Sequence, residues 1–156
     1  MDAGTGFMLL IGVFSGFVAG MAFWSFRNVF GLSEAPGKAL ASYLSGLSYG
    51  KITSRQARSA EIFAAAVLGG VYSVIYLSVA SATSGVPVLS HTALTLAVLY
   101  GVLVPFAGAE IVTIFKNSPD FLEEYHEEKL NWGFLYFVYG SILGTVFHFT
   151  LYLIFI

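Results

Sequence analysis

The stretch Ile62-Phe-Ala-Ala-Ala-Val-Leu-Gly-Gly-Val-Tyr-Ser-Val-Ile-Tyr-Leu-Ser-Val-Ala-Ser-Ala82 decides the fold. It contains no charged side chain, and Arg58 and Glu61 stand just before it. About 20 apolar residues, each rising 1.5 Å, cross a hydrocarbon core of roughly 30 Å. In such a core every backbone amide must be bonded within the segment, so the run predicts a transmembrane helix. Between Ile62 and Ala109, tyrosines aside, the only titratable side chain is His91.

Working outward, three more runs meet the same criterion. Gly6–Phe26 is closed by Arg27, Thr92–Phe115 is closed by Lys116, and Asn131–Ile156 ends the chain. The fold class expected is therefore all-α: one domain over residues 1–156, polytopic, with four transmembrane helices forming a bundle. Residues 27–61 and 116–130 are the intervening loops on one side. Composition agrees. Of 156 residues 57% are hydrophobic and 10% charged, with mean hydropathy +0.80, where a soluble domain carries about 25% charged residues. The first run lacks a basic region ahead of it and is too long for a signal-peptide core, so it reads as a retained helix.

All seven Lys and Arg (Arg27, Lys38, Lys51, Arg55, Arg58, Lys116, Lys129) fall on one side when the crossings alternate. The positive-inside rule makes that side cytoplasmic, placing both termini outside a cell membrane. The loop from Arg27 to Glu61 carries +3 and the loop from Lys116 to Lys129 carries −3, so the two are expected to attract. A net charge of −2 implies no nucleic-acid partner, and the absence of Cys excludes disulfides and thiolate chemistry.

Several local signals punctuate the loops. Ser33-Glu34-Ala35-Pro36 looks like a helix start. Leu40, Tyr43, Leu44 and Leu47 follow as an apolar stripe suited to the membrane interface. Thr53 and Gln56 have the spacing of a capping box. Trp24 and Trp132 stand where interfacial aromatic anchors belong.

Gly12-Val-Phe-Ser-Gly-Phe-Val-Ala-Gly20 aligns with Gly101-Val-Leu-Val-Pro-Phe-Ala-Gly-Ala109, and Leu68-Gly-Gly-Val-Tyr72 with Leu143-Gly-Thr-Val-Phe147. The chain thus reads as a parallel repeat of two helical hairpins. Membrane helices associate through small residues, which makes Gly12, Gly16, Gly20, Gly70 (with Ala66), Gly140 and Gly144 the expected packing positions. Pro105 is expected to kink the third span.

Two buried polar residues are candidates for a functional site. Glu110 lies inside the third span, where an ionisable group is costly; a structural pair with Arg27 or Lys116 is the bland alternative. His148 shares a helical face with Gly140 and Gly144, and a hydrogen bond to a Tyr or Ser of another helix is its bland alternative. Bis-His haem ligation with His91 fails on depth. Glu123-Glu-Tyr-His126 offers one Glu-x-x-His where a di-iron bundle needs two. No phosphate loop, zinc-protease motif or hydrolase triad order occurs, so no cofactor, metal or catalytic residue is expected.

Gly16-Phe-Val-Ala-Gly20 leading to Phe26-Arg27, Leu99-Tyr-Gly101, and Val138-Tyr-Gly140-Ser-Ile-Leu-Gly144 resemble a loose group of small four-helix membrane proteins, mostly archaeal. The resemblance implies fold, not activity. Two functions stay open: a non-catalytic subunit packed within a larger membrane assembly, of a respiratory or oxidative kind, and a small homo-oligomeric channel or carrier for a proton, cation or small solute. Partners expected are the lipid bilayer and other membrane protein chains.

Overall fold

The computed structural model describes residues 3–116 and 129–155, with side chains over 4–103 and 133–155. Five α-helices account for nearly all of them: α1 (Ala3–Phe30), α2 (Ala35–Ser45), α3 (Ser54–Ala82), α4 (His91–Lys116) and α5 (Lys129–Phe155). A 3-10 turn, Tyr49–Lys51, links α2 to α3. Three segments, Gly4–Phe30, Ser54–Ala82 and Gly133–Phe155, are long and apolar enough to cross a membrane. The chain is thus an all-helical protein of membrane type. In α4 the described apolar part is His91–Leu103, although the helix itself continues through position 105 to Lys116.

Local chemistry sets the helix ends. The Thr53 hydroxyl accepts from the Gln56 amide while the Gln56 side chain accepts from the Thr53 amide, forming the capping box that opens α3. Helix α2 begins one residue later than the Ser-Pro signal suggests. Glu34 is its N-cap, Ser33 instead accepts a hydrogen bond from the Ala35 amide, and Gly46 closes it at φ +70°. Helix α1 runs through Arg27 to Phe30, because that side chain has a partner inside the protein and does not seek water.

The long helices pair antiparallel, α1 with α3 and α4 with α5, through close backbone approaches, and α1 also packs on α5. On the α1–α3 seam, a Cβ at Gly16 would meet the Ala65 carbonyl and stand 2.9 Å from the Gly69 Cα, and one at Gly20 would stand 2.6 Å from the Ala65 Cβ. Gly12 meets the Gly69 carbonyl. Gly70, beside this row, faces only the Val13 Cγ2 at 3.1 Å. The partner row on α3 is thus Ala65, Gly69 and Ser73, a small residue every fourth position, rather than the adjacent Ala66 and Gly70.

On the α4–α5 seam, Gly140 lies against Gly101, at 2.9 Å from Cβ to Cα, and Gly144 against Ala97. By the internal sequence match, Gly101 would face Gly144, so this hairpin is offset by one turn. The match places Pro105 where α1 has Gly16. Close approach on α4 is at Gly101 and Ala97.

A second row on α1, Ile11, Ser15, Ala19, Phe23 and Arg27, is buried throughout. Phe23 stacks on Tyr136 of α5 at 5.6 Å between ring centres, tying α1 to α5. The outer faces are apolar and exposed: Phe7, Leu10, Phe14, Phe17 and Met21 on α1, Phe63, Val67, Val71 and Val74 on α3. Helix α2 buries Ala35, Gly37, Ala39, Ala41 and Ser42, packing mainly on α3. Its C-terminal end leaves Tyr43 and Leu44 exposed, with Leu47 beyond.

Candidate functional site: a polar seam along α3

Glu61, Ala65, Leu68, Tyr72 and Tyr76 recur every three or four residues and so share one face of α3. Each meets a polar partner from another element. Tyr139 of α5 donates to the Ala65 carbonyl at 2.9 Å, and Tyr100 of α4 donates to the Leu68 carbonyl. The Tyr72 hydroxyl lies 2.9 Å from His148 Nε2 of α5 and 3.3 Å from the Ala93 carbonyl of α4. Tyr76 donates to the Val86 carbonyl at 3.3 Å. At the α2 end of the seam Arg27 Nη1 donates to Glu61 Oε2.

His148 is fully buried. Its ring packs edge-on against Tyr76 at 5.0 Å, Phe147 at 5.2 Å and Tyr72 at 6.1 Å. Tyr72 has one hydroxyl proton for two acceptors. Given to Ala93, it makes His148 the donor through Nε2; given to His148, it leaves the carbonyl to its own helix. In both arrangements Nδ1 has no hydrogen-bond partner among the described residues. The carbonyls of Val88 and Ala93 lie beside the ring without closing a bond of normal geometry to it. His91, the first residue of α4, is exposed and takes no part.

Arg27 is 1% exposed and Glu61 10%. Glu34 Oε1 lies 3.9 Å from Arg27 Nη2, too far for a hydrogen bond. Arg27 Nε and Nη2 and Glu61 Oε1 are buried without hydrogen-bond partners among the described residues. The carboxylate lies against α2: a Cβ at Gly37 would stand 2.6 Å from Oε1 and 2.9 Å from the Ala57 carbonyl. Gly37 is therefore required where backbone seats on a carboxylate. Nearby, the Arg58 guanidinium stacks on Trp24, 3.7 Å from the ring centre, so that indole, in the last two turns of α1, is engaged by a cation.

Of the two sequence candidates, His148 thus sits in the seam, and Glu110 has a side chain outside the described residues. Arg27, one of the two partners considered for Glu110, is bonded to Glu61. Glu123, His126 and the acidic loop around them also lie outside the described residues, as does the Trp132 side chain. Among the described residues no three His, Asp or Glu gather into a metal-binding set. Sequence reasoning missed Glu61, which reads as a boundary charge until α3 is laid beside α1. The period of Glu61, Tyr72 and Tyr76 along one face was the available signal.

Chemically, the seam is a series of clamps. The hydroxyls of Tyr139, Tyr100 and Tyr76 each end on a backbone carbonyl, which accepts a proton's hydrogen bond but has none to hand on. Comparison with protein-family models, curated proteins and solved structures finds no match for the chain.

Proposed function

We propose that the chain crosses a cell membrane four times, with both termini outside, and serves as a non-catalytic subunit packed within a larger membrane assembly. The single observation that carries this reading is the termination of buried tyrosines on carbonyls. It makes the interior a fixed joint between α3, α4 and α5 and leaves the outer faces to meet other chains. The apolar rows on α1 and α3 have the composition for such contacts in lipid. Support for four crossings comes from α4, whose 26 residues rise about 39 Å at 1.5 Å each. Orientation rests on the Lys and Arg distribution.

Purification in mild detergent followed by mass spectrometry tests the proposal. A fixed set of foreign chains is expected; recovery of this chain alone, as a ring of identical copies, would sink it. A second reading, a proton or cation carrier, is favoured by one observation: the Arg27–Glu61 pair is buried with open valences on both partners. Proton or cation flux through liposomes holding only this protein would select it.

A further inference from the structure

The Arg27–Glu61 pair does more than join α1 to α3, because α2 is seated on it. Among the described residues the charged groups facing Glu61 are Arg27 of α1 and Glu34 ahead of α2, and α2 itself brings the Gly37 amide to the carboxylate. Arg58 lies on the same helix and is turned to Trp24. One guanidinium between two carboxylates leaves a local charge of −1. Glu34 is 29% exposed and solvated, whereas Glu61 is 10% exposed, its Oε1 facing the Gly37 amide without a hydrogen bond of normal geometry. Such a site carries one uncompensated negative charge on a buried oxygen, which a proton would neutralise.

What α2 contributes in return is small. Its buried residues are Ala35, Gly37, Ala39, Ala41 and Ser42, which offer little apolar area to hold it down. Ala41 and Leu40 pack on Ile52, Ala57 and Ala60, and the charge beneath the first turn adds to this modest apolar seat.

We propose that Glu61 is a proton-binding site whose loading releases α2 from the end of the α1–α3 pair. A proton from water adds to the carboxylate, the O–H bond forms, and the local charge goes from −1 to zero. Arg27 loses its buried anion and keeps Glu34, the more exposed acid, as its counter-charge. With that anion neutralised, the first turn of α2 loses the buried carboxylate it faces and keeps only the more exposed Glu34 at its N-cap. This stands on the geometry of Arg27, Glu61 and Gly37, and holds for either function above.

The chain has no native cysteine, so single probes are clean. Ala41→Cys places a thiol on the buried face of α2 and Ser45→Cys an exposed control on the same helix. In nanodiscs, which open both membrane faces, maleimide labelling of each is followed from pH 8 to pH 5. The control cancels the falling thiolate fraction. One linked proton changes the released population by at most about tenfold per pH unit. The expected result is an Ala41:Ser45 rate ratio that climbs as pH falls. With Glu61→Gln the ratio should be high and flat; with Glu61→Asp the dependence should return. A flat ratio in the Glu61 background, or a dependence that survives Glu61→Gln, overturns the proposal. Should Glu61→Gln fail to fold, Glu34→Gln carries the test. Removing that acid takes the site's resting charge to zero, so the climb must move to lower pH, and an unmoved climb overturns the proposal as well.

Discussion

Replacing Gly16 by Ala adds one methyl where two backbones touch. An ideal Cβ there lies 2.9 Å from the Gly69 Cα, and closer still to the Ala65 carbonyl. Both obstacles are backbone, so no rotamer change relieves them, and α1 must move off α3 by about half an ångström or more to reach ordinary contact. A gap of 0.5–1 Å forfeits about a quarter to a half of each dispersion well along the seam, and the Gly12 and Gly20 levels share the displacement. Overpacking of this kind costs about 1–3 kcal/mol. The added methyl also favours the helix by roughly 0.5–1 kcal/mol, which offsets part of that cost. Gly6→Ala isolates this propensity gain, since a Cβ at Gly6 meets nothing within 4 Å. Gly70→Ala falls between, because its one neighbour, Val13 Cγ2 at 3.1 Å, is a movable side-chain methyl. The expected order of stability is therefore Gly6→Ala, then Gly70→Ala, then Gly16→Ala, with about 1–3 kcal/mol between the extremes. Unfolding in mixed detergent micelles, followed by tryptophan fluorescence and circular dichroism, reads it. Gly16→Ala melting together with Gly6→Ala would refute the seam.

The other expectations concern the polar seam and the topology. Tyr139→Phe deletes a hydroxyl whose acceptor keeps its own helical bond, so detergent unfolding should register a loss of about 1 kcal/mol. Tyr72→Phe also removes the partner of His148 Nε2 and should cost more, about 1–3 kcal/mol in the same assay. Arg27→Met alone strands the Glu61 carboxylate and should cost about 3–5 kcal/mol, while Arg27→Met with Glu61→Leu should recover most of that loss. A double variant no better than the single would show that the pair is held by something besides charge. For topology, Ser84→Cys should label on intact cells and Ser45→Cys only after permeabilisation; the reverse pattern would invert the proposed orientation.

The sequence by itself determined that this chain is helical and apolar enough for a membrane. The uncharged run Ile62–Ala82 leaves its amides no partner but its own carbonyls, and the α3 capping box lies in two residues three apart. These are local properties, fixed by composition and spacing along one helix. The small-residue row was only partly legible. Gly12, Gly16, Gly20, Gly140 and Gly144 stand out as glycines, whereas Ala65, Gly69 and Ser73 compete with Ala66 and Gly70 until one knows which side of α3 faces α1. Only the tertiary structure decided that phase, and with it the rest of the seam. Arg27 and Glu61 are 34 residues apart, and each reads alone as a charge marking the edge of a span. Laying Gly16 against Gly69 and Gly20 against Ala65 fixes the antiparallel register of α1 and α3, and that register brings the two charges to one level. Their burial follows from α2 closing over them, which Gly37 permits because it has no side chain to put between the helix and the carboxylate.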